Sequence, residues 1–412
     1  MELQNLPTLS RAPGTGGEFK SSPEDFIVRE ITAQGVILRE DAQCSPEQIG
    51  MAAEPDGRFT KFVLQKRDWD TVQLLMRLAK RAGRGRKSIG YAGSKDKRSV
   101  SVQLASIFGA TPEQVLGTRI KDMRIACAWS SASGVDLGSN IGNSFTAIIR
   151  GCQKPENAQA VAAELASGIP NYYDRQRFGL RMNNHEIGLC IMRGDFGAAL
   201  SKFLTDTSNE RNEESVAARR RLAEEQDYAA ALSYFPKGHR NERMAIEYMS
   251  RYGNPANALR RLPRGVLLMF VHSVQSMAFN MSLAARVSAG DFSSGISCRA
   301  DAYGFPDVSS AAHCGSGFAL GCLPGYETSD SDVSAYDSEA LSLLGVSREE
   351  FRVRQMPEIS AKGSFRPLLA PVKGLMCSAD RAAGTVTADF SMPSGSYATV
   401  LLGEITKNPT WQ

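Results

Sequence analysis

Asp96 is the residue whose neighbours best equip it for chemistry: it stands in Ser94-Lys95-Asp96-Lys97-Arg98, with three cations beside it in sequence. Cations that close favour the ionised acid, so the spacing predicts a permanent carboxylate at neutral pH. Such a group suits a nucleophile or charge stabiliser better than a general acid. A solvated charged turn has the same composition, and that reading stays open on the local pattern alone. A phosphate loop is excluded, because Gly90-Tyr-Ala-Gly-Ser-Lys-Asp96 lacks the required spacing and the Ser/Thr after Lys. A second cluster runs from Pro170 to Gly179, with an amide at Asn171, aromatic faces at Tyr172, Tyr173 and Phe178, and cations at Arg175 and Arg177. Aromatic rings stack on bases whatever their identity, and amides and guanidinium groups read base edges and phosphates. An ordinary loop with a buried aromatic would read alike.

Charge adds a partner class. Between Lys61 and Arg98 twelve Lys/Arg face only Asp68, Asp70 and Asp96, a net of +9 in a chain whose formal charge is +4. Either a polyanion docks beside Asp96, with binding that weakens in salt and Lys95 and Lys97 among its contacts, or the strip is a solvated helix face and loop. His313, Cys314 and Cys322 fit no common zinc spacing, so no metal is expected. The eight cysteines form no CxxC pair, and reduced, mostly buried thiols are expected.

The elements that must hold these residues follow from periodicity. Strand-like runs at Ile89–Ala92 and Val100–Ile107 flank the Asp96 segment and predict a hairpin in which Gly93 supplies the freedom for a sharp reversal. Asp70 caps a helix from Thr71 to about Ala82, with Val72, Leu75, Met76 and Ala79 as its apolar face. Thr111-Pro-Glu-Gln114 opens a short helix with a capping box. Strands are expected at 123–130 and 144–150, and a helix at 156–166. Beyond residue 180 helical patterns dominate: 196–204, a charged stretch 213–233, 241–251, and the apolar 267–287, read as the core helix of a second domain with a structural His272. Strand-like alternation returns at 365–367, 384–392 and 397–402, and the chain ends in a hydrophobic strand or helix. No apolar run approaches the roughly 20 residues that span a bilayer, so no membrane partner is expected. The N-terminal stretch lacks an apolar signal core, which places the chain in the cytoplasm.

Four segments, in order along the chain, resemble the motifs of the TruD family of pseudouridine synthases: FKSSPEDFIVRE from Phe19, YAGSKDKRSVSVQ from Tyr91, PNYYDRQRFG from Pro170 and MPSGSYATVLLGEI from Met392. Gly142-Asn143 with Phe145, and Gln275, Phe279 and Asn280, also fit the family's pattern. The resemblance implies an α+β fold: a mixed α/β catalytic domain around an antiparallel sheet, from residues 1–179 and 365–412, with an inserted α/β TRUD domain at 180–364. It implies an isomerase that turns uridine into pseudouridine, typically at position 13 of tRNA, with RNA as partner and neither cofactor nor protein partner required. Asp96 would be the catalytic carboxylate, Lys20 would lie beside it, Asn171 would contact it, and Tyr173 would stack on the target base. Tyr173 is closer to the archaeal and eukaryotic branch, and Asp174 stands where many bacterial members have Gly. The rival readings are a non-catalytic RNA-binding protein, a synthase acting on another RNA, and a methyltransferase; the last needs a Gly-rich turn after a strand, which is not evident here.

Overall fold

The computed structural model describes residues 6–313 and 316–408. Its largest sheet has nine strands, seven from the first part of the chain: β1 (Glu18–Phe19), β2 (Phe26–Ile31), β3 (Phe59–Arg67), β4 (Ile89–Tyr91), β5 (Val100–Phe108), β6 (Met123–Ser131) and β7 (Gly142–Arg150). Two come from its end, Lys373–Asp380 and Thr385–Pro393. The order is Lys373–Asp380, Thr385–Pro393, β7, β2, β5, β3, β6, with β1 on β7 and β4 on β5. Every pairing is antiparallel except β2 with β5, where Ile27 faces Val100 and Arg29 faces Val102.

That parallel pair decides where the chemistry sits. Parallel strands begin at the same sheet end, so the segments leading into β2 and β5 are brought together. Those segments carry Lys20 and Asp96.

Helices cover both halves of the sheet. On one side Leu74, Leu75, Leu78 and Ala79 of helix Thr71–Arg81 pack on Phe62, Leu64, Ala105 and Ile107. Asp70 caps this helix by accepting from the Gln73 N–H at 2.8 Å. The buried stripe differs from the expected one: Leu74 and Leu78 face the sheet, and Met76 is exposed. Apolar residues at 72, 74, 75, 76, 78 and 79 fit two overlapping stripes, and packing on the sheet selects one. On the other half, helices Asn157–Glu164 and Ala398–Thr406 pack Val161, Leu401 and Ile405 on Phe145, Val386 and Phe390. The stretch from Tyr397, expected to alternate as a strand, is therefore an N-cap and helix, because Leu401, Leu402 and Ile405 present a single face to that core.

A separate core is drawn wholly from residues 187–361. Its axis is the helix Arg264–Ala289, long and apolar enough by composition to cross a membrane, contrary to the expectation that no such run exists, but largely buried in the protein. The charged stretch from Glu213 divides into helices Glu213–Glu225 and Tyr228–Tyr234, broken where Gln226 takes a left-handed conformation and Asp227 caps the second. Helix Asn184–Met192 went unread in the sequence.

The expectation of reduced thiols fails for one pair, while Cys152, Cys190, Cys298, Cys322 and Cys377 are free. Cys44 and Cys127 form a disulfide, with Cα atoms 5.8 Å apart and a sequence separation of 83. The loop after β2 lies against β6 here and brings the two together. Closing a loop of this size stabilises the fold by about 4 kcal/mol in the chain-entropy picture, so reduction is expected to lower the urea midpoint. An unchanged midpoint in dithiothreitol would contradict this. His313 pairs with Asp332 at 3.2 Å and Cys322 is buried, and Cys314 lies outside the described residues. Among the described residues no group of three or more His, Cys, Asp or Glu could hold a metal.

Candidate active site

Asp96 opens onto a cavity of about 460 Å³ lined by Phe26, Val28, Asn140, Asn143, Phe145, Asp174, Gln176 and the turn Ser394–Thr399. Lys20 Nζ lies 3.1 Å from Asp96 Oδ2, and Gln176 Nε2 donates to Oδ1 at 2.9 Å. Three distant segments thus converge on one carboxylate. Lys20 has φ 63°, unusual for a residue with a side chain, and its ammonium sits 4.2 Å from the Phe26 ring centroid. Backbone held in this region costs on the order of 1 kcal/mol and persists where surroundings impose it. The turn that follows Lys20 is fixed by Asp25, fully buried, which accepts from Arg150 Nη2 at 2.6 Å and from the Ser22 N–H at 2.9 Å. The Arg150 guanidinium holds the Asp25 carboxyl below its usual range.

The loop carrying Asp96 is fixed from beneath. Lys66 Nζ and Ser99 Oγ both donate to the Asp96 carbonyl at 2.7 Å. Thr71 Oγ1 accepts from the Lys95 N–H at 3.0 Å and donates to Gln103 Oε1 at 3.2 Å, while Gln103 Nε2 donates to the Gly93 carbonyl at 3.3 Å. Gly93 itself is not among the residues of positive φ, so the expected glycine reversal is replaced by a wider loop held by side chains. Lys95 points away from Asp96: its ammonium pairs with Glu30 at 2.7 Å, both side chains almost fully buried. The expected halo of three sequence neighbours around Asp96 is thereby corrected, since Lys97 and Arg98 are solvent-exposed and Lys20 supplies the direct partner.

Burial pushes the Lys66 ammonium down from 10.5 to about 8. A lysine whose folded pKa is depressed costs stability below that pKa, and the cost fades as pH rises toward the unfolded value. Stability of the native protein is therefore expected to climb between pH 8 and 10.5 relative to Lys66→Met. Parallel pH profiles of the urea midpoints would contradict this placement.

Asn171 does not reach Asp96. Its side chain donates to the Pro367 carbonyl at 3.0 Å and accepts from Arg366 Nη2 at 2.7 Å. Arg366 also donates through Nε to the Asn171 carbonyl at 2.9 Å and is buried, its guanidinium carbon 4.0 Å from the Tyr173 ring centroid. Burial lowers its pKa. The amide predicted to orient the carboxylate instead anchors the loop, and Gln176 takes the place beside Asp96. Sequence reasoning missed Gln176 because an exposed Gln between two arginines carries no distinguishing signal.

Tyr173 lines a neighbouring cavity of about 450 Å³ with Arg177, His272, Gln275 and Lys362. Its backbone is clamped by Asn280 of the long helix, which accepts from the Tyr173 N–H at 2.8 Å and donates to its carbonyl at 2.9 Å. The ring is 5% exposed, with Arg177 5.0 Å and Arg366 4.0 Å from its centroid. Phe178 is fully buried, edge-on to His185 at 5.7 Å, and offers no face to a base. Its assignment as a substrate contact is corrected: this ring is core. Arg175 is half-buried in the short helical turn Arg175–Arg177, which Asp174 caps.

A family model described as tRNA pseudouridine synthase D (TruD) matches residues 4–405. The probable tRNA pseudouridine synthase D of Methanopyrus kandleri is 34% identical, over 85% of this chain and 86% of its own. That of Methanosarcina acetivorans is 31% identical, over 96% of this chain and 93% of its own. The crystal structure of the putative tRNA pseudouridine synthase D from Methanosarcina mazei superposes with a TM-score of 0.75 at 28% identity, covering 100% of this chain and 98% of that one.

Proposed function

The chain belongs to the TruD family of pseudouridine synthases, and from that premise we propose that it isomerises uridine 13 of tRNA to pseudouridine with Asp96 as the nucleophile. The observation that supports this best is the convergence of Lys20 and Gln176 on the Asp96 carboxylate, at 3.1 and 2.9 Å, at the wall of an open cavity. A uridine stacked in RNA is out of reach, so the nucleotide is extruded into this cavity. Asp96 is the carboxylate that each route to the product requires, whether it adds to C1' of the ribose, adds to C6 of the base, or takes a proton from the sugar. Lys20 and Gln176 fix its approach before substrate arrives, which removes the orientational cost from the barrier.

The freed uracil turns and rejoins the ribose through C5. Tyr173 is the ring that the family resemblance offers as its platform; it lines the neighbouring cavity, so it serves the uracil only once Arg177 moves from its place 5.0 Å from the ring centroid and the two cavities join. The reaction exchanges no electrons with a partner, so the chain's own residues suffice. Residues 1–179 and 365–412 form the catalytic domain in this reading and 180–364 the insertion, which is supported by the separate core drawn from residues 187–361. RNA lies in the cleft between them, along the basic strip 61–98. In this reading the protein acts in the cytoplasm.

Mapping pseudouridine in an unmodified tRNA transcript incubated with the purified protein tests the position. One new pseudouridine at position 13 is expected. Modification elsewhere, with position 13 untouched, would overturn the assigned site.

A further inference from the structure

A second carboxylate shares the cavity with Asp96 and the reaction above leaves it idle. Asp174 is 5% exposed, lines the same cavity as Asp96 and Gln176, and its carboxylate receives the Thr399 hydroxyl and the Arg175 backbone N–H, each at 2.7 Å. Asp96 by contrast is 28% exposed and tied to the Lys20 ammonium. Two carboxylates in one cavity with such different surroundings are an arrangement that separates a proton carrier from a charged partner.

The isomerisation has a proton to move. When C5 of the uracil joins C1' of the ribose, C5 carries both its hydrogen and the new bond, and N1 is doubly bonded to C6. The C5–H bond must then break. Its electron pair becomes the C5=C6 double bond, the former N1=C6 pair returns to N1, and N1 takes up a proton. One proton leaves C5 and one arrives at N1 across C6, so a single group that accepts the first and returns it ends the cycle unchanged.

We infer that Asp174 is the catalytic residue that takes the C5 proton and delivers it to N1. The inference rests on the pseudouridine synthase reading of the site. Burial raises the Asp174 carboxyl above its usual range, with Asp96 adding to the rise and Lys20 opposing it, which makes its carboxylate a stronger base than a solvated one. Thr399, at the start of helix Ala398–Thr406, holds it to the wall without neutralising it.

The test is single-turnover pseudouridine formation on tRNA carrying protium or deuterium at C5 of uridine, with wild type, Asp174→Asn and Asp174→Glu. Asp174→Asn is expected to slow the reaction by about 100-fold, the scale of a lost general base. It is also expected to show a larger deuterium effect than wild type, since proton loss from C5 becomes the slow step. Asp174→Glu, which keeps the carboxylate, should restore most of the rate and the smaller isotope effect. A wild-type rate in Asp174→Asn, or a slowed rate with an unchanged isotope effect, overturns the assignment and leaves Asp174 as a cap for Arg175–Arg177. A wild-type protein that forms no pseudouridine removes the parent reading, and this one with it.

Discussion

Replacing Asp96 by Asn is expected to abolish pseudouridine formation, by at least about 10⁴-fold as for loss of a catalytic nucleophile, while affinity for tRNA stays within about twofold. The substitution keeps the shape of the side chain and an acceptor for Gln176 Nε2, and removes only the charge. In the proposed reading binding draws on the exposed Lys/Arg of the strip from 61 to 98 rather than on this one anion, so affinity and its salt dependence should persist. The fold should hold as well. The Lys20–Asp96 pair is 17% and 28% exposed, and partly solvated pairs contribute at most about 1 kcal/mol. Filter binding and single-turnover assays on one preparation would separate the two effects. A variant within tenfold of wild type would remove Asp96 from the chemistry, and a variant that loses binding and turnover together would favour an RNA-binding role.

Glu30→Ala is expected to cost about 3–5 kcal/mol, because it strands a buried ammonium. Glu30 sits in β2 with its side chain 1% exposed; its Oε2 lies 2.7 Å from the Lys95 ammonium and its Oε1 accepts from the Leu104 N–H at 3.1 Å. Removing it leaves both donors unanswered beneath the loop that carries Asp96. Thermal melting should fall by about 10 °C for a domain of this size, and turnover should fall with it, since Lys95 precedes Asp96. The double substitution Glu30→Met with Lys95→Met should recover most of the stability by replacing the pair with apolar volume. If it recovers turnover too, the pair serves the fold alone. A melting point for Glu30→Ala within about 2 °C of wild type would show that Lys95 finds other partners.

Local physics was legible in the sequence. The Asp70 cap, the Thr111–Gln114 capping box and the antiparallel β4–β5 pairing around Asp96 each depend on residues close in sequence, and the structure has all three, with a wider loop where a tight reversal at Gly93 was expected. The helix face was misjudged because its apolar residues are too many to define one stripe, and the sheet chose Leu74 and Leu78 over Val72 and Met76. Contacts across long separations were not legible. Lys95 reads as an Asp96 neighbour until β2 is laid parallel to β5, which brings Glu30 to its ammonium. Asn171 meets Arg366 across 195 residues, and Cys44 meets Cys127 across 83. Lys20 was placed beside Asp96 by resemblance to a family motif; a lysine before a strand has no such meaning in periodicity or charge. The structure adds the physical cause, which is the common starting edge of two parallel strands.

The most direct measurement is nucleoside composition of a uridine-containing tRNA transcript after incubation with the purified protein in buffer alone, with and without added S-adenosylmethionine. One pseudouridine per tRNA, one uridine fewer, and no dependence on the addition are expected. Unchanged uridine in buffer alone, or a methylated nucleoside only when S-adenosylmethionine is present, would contradict the synthase reading.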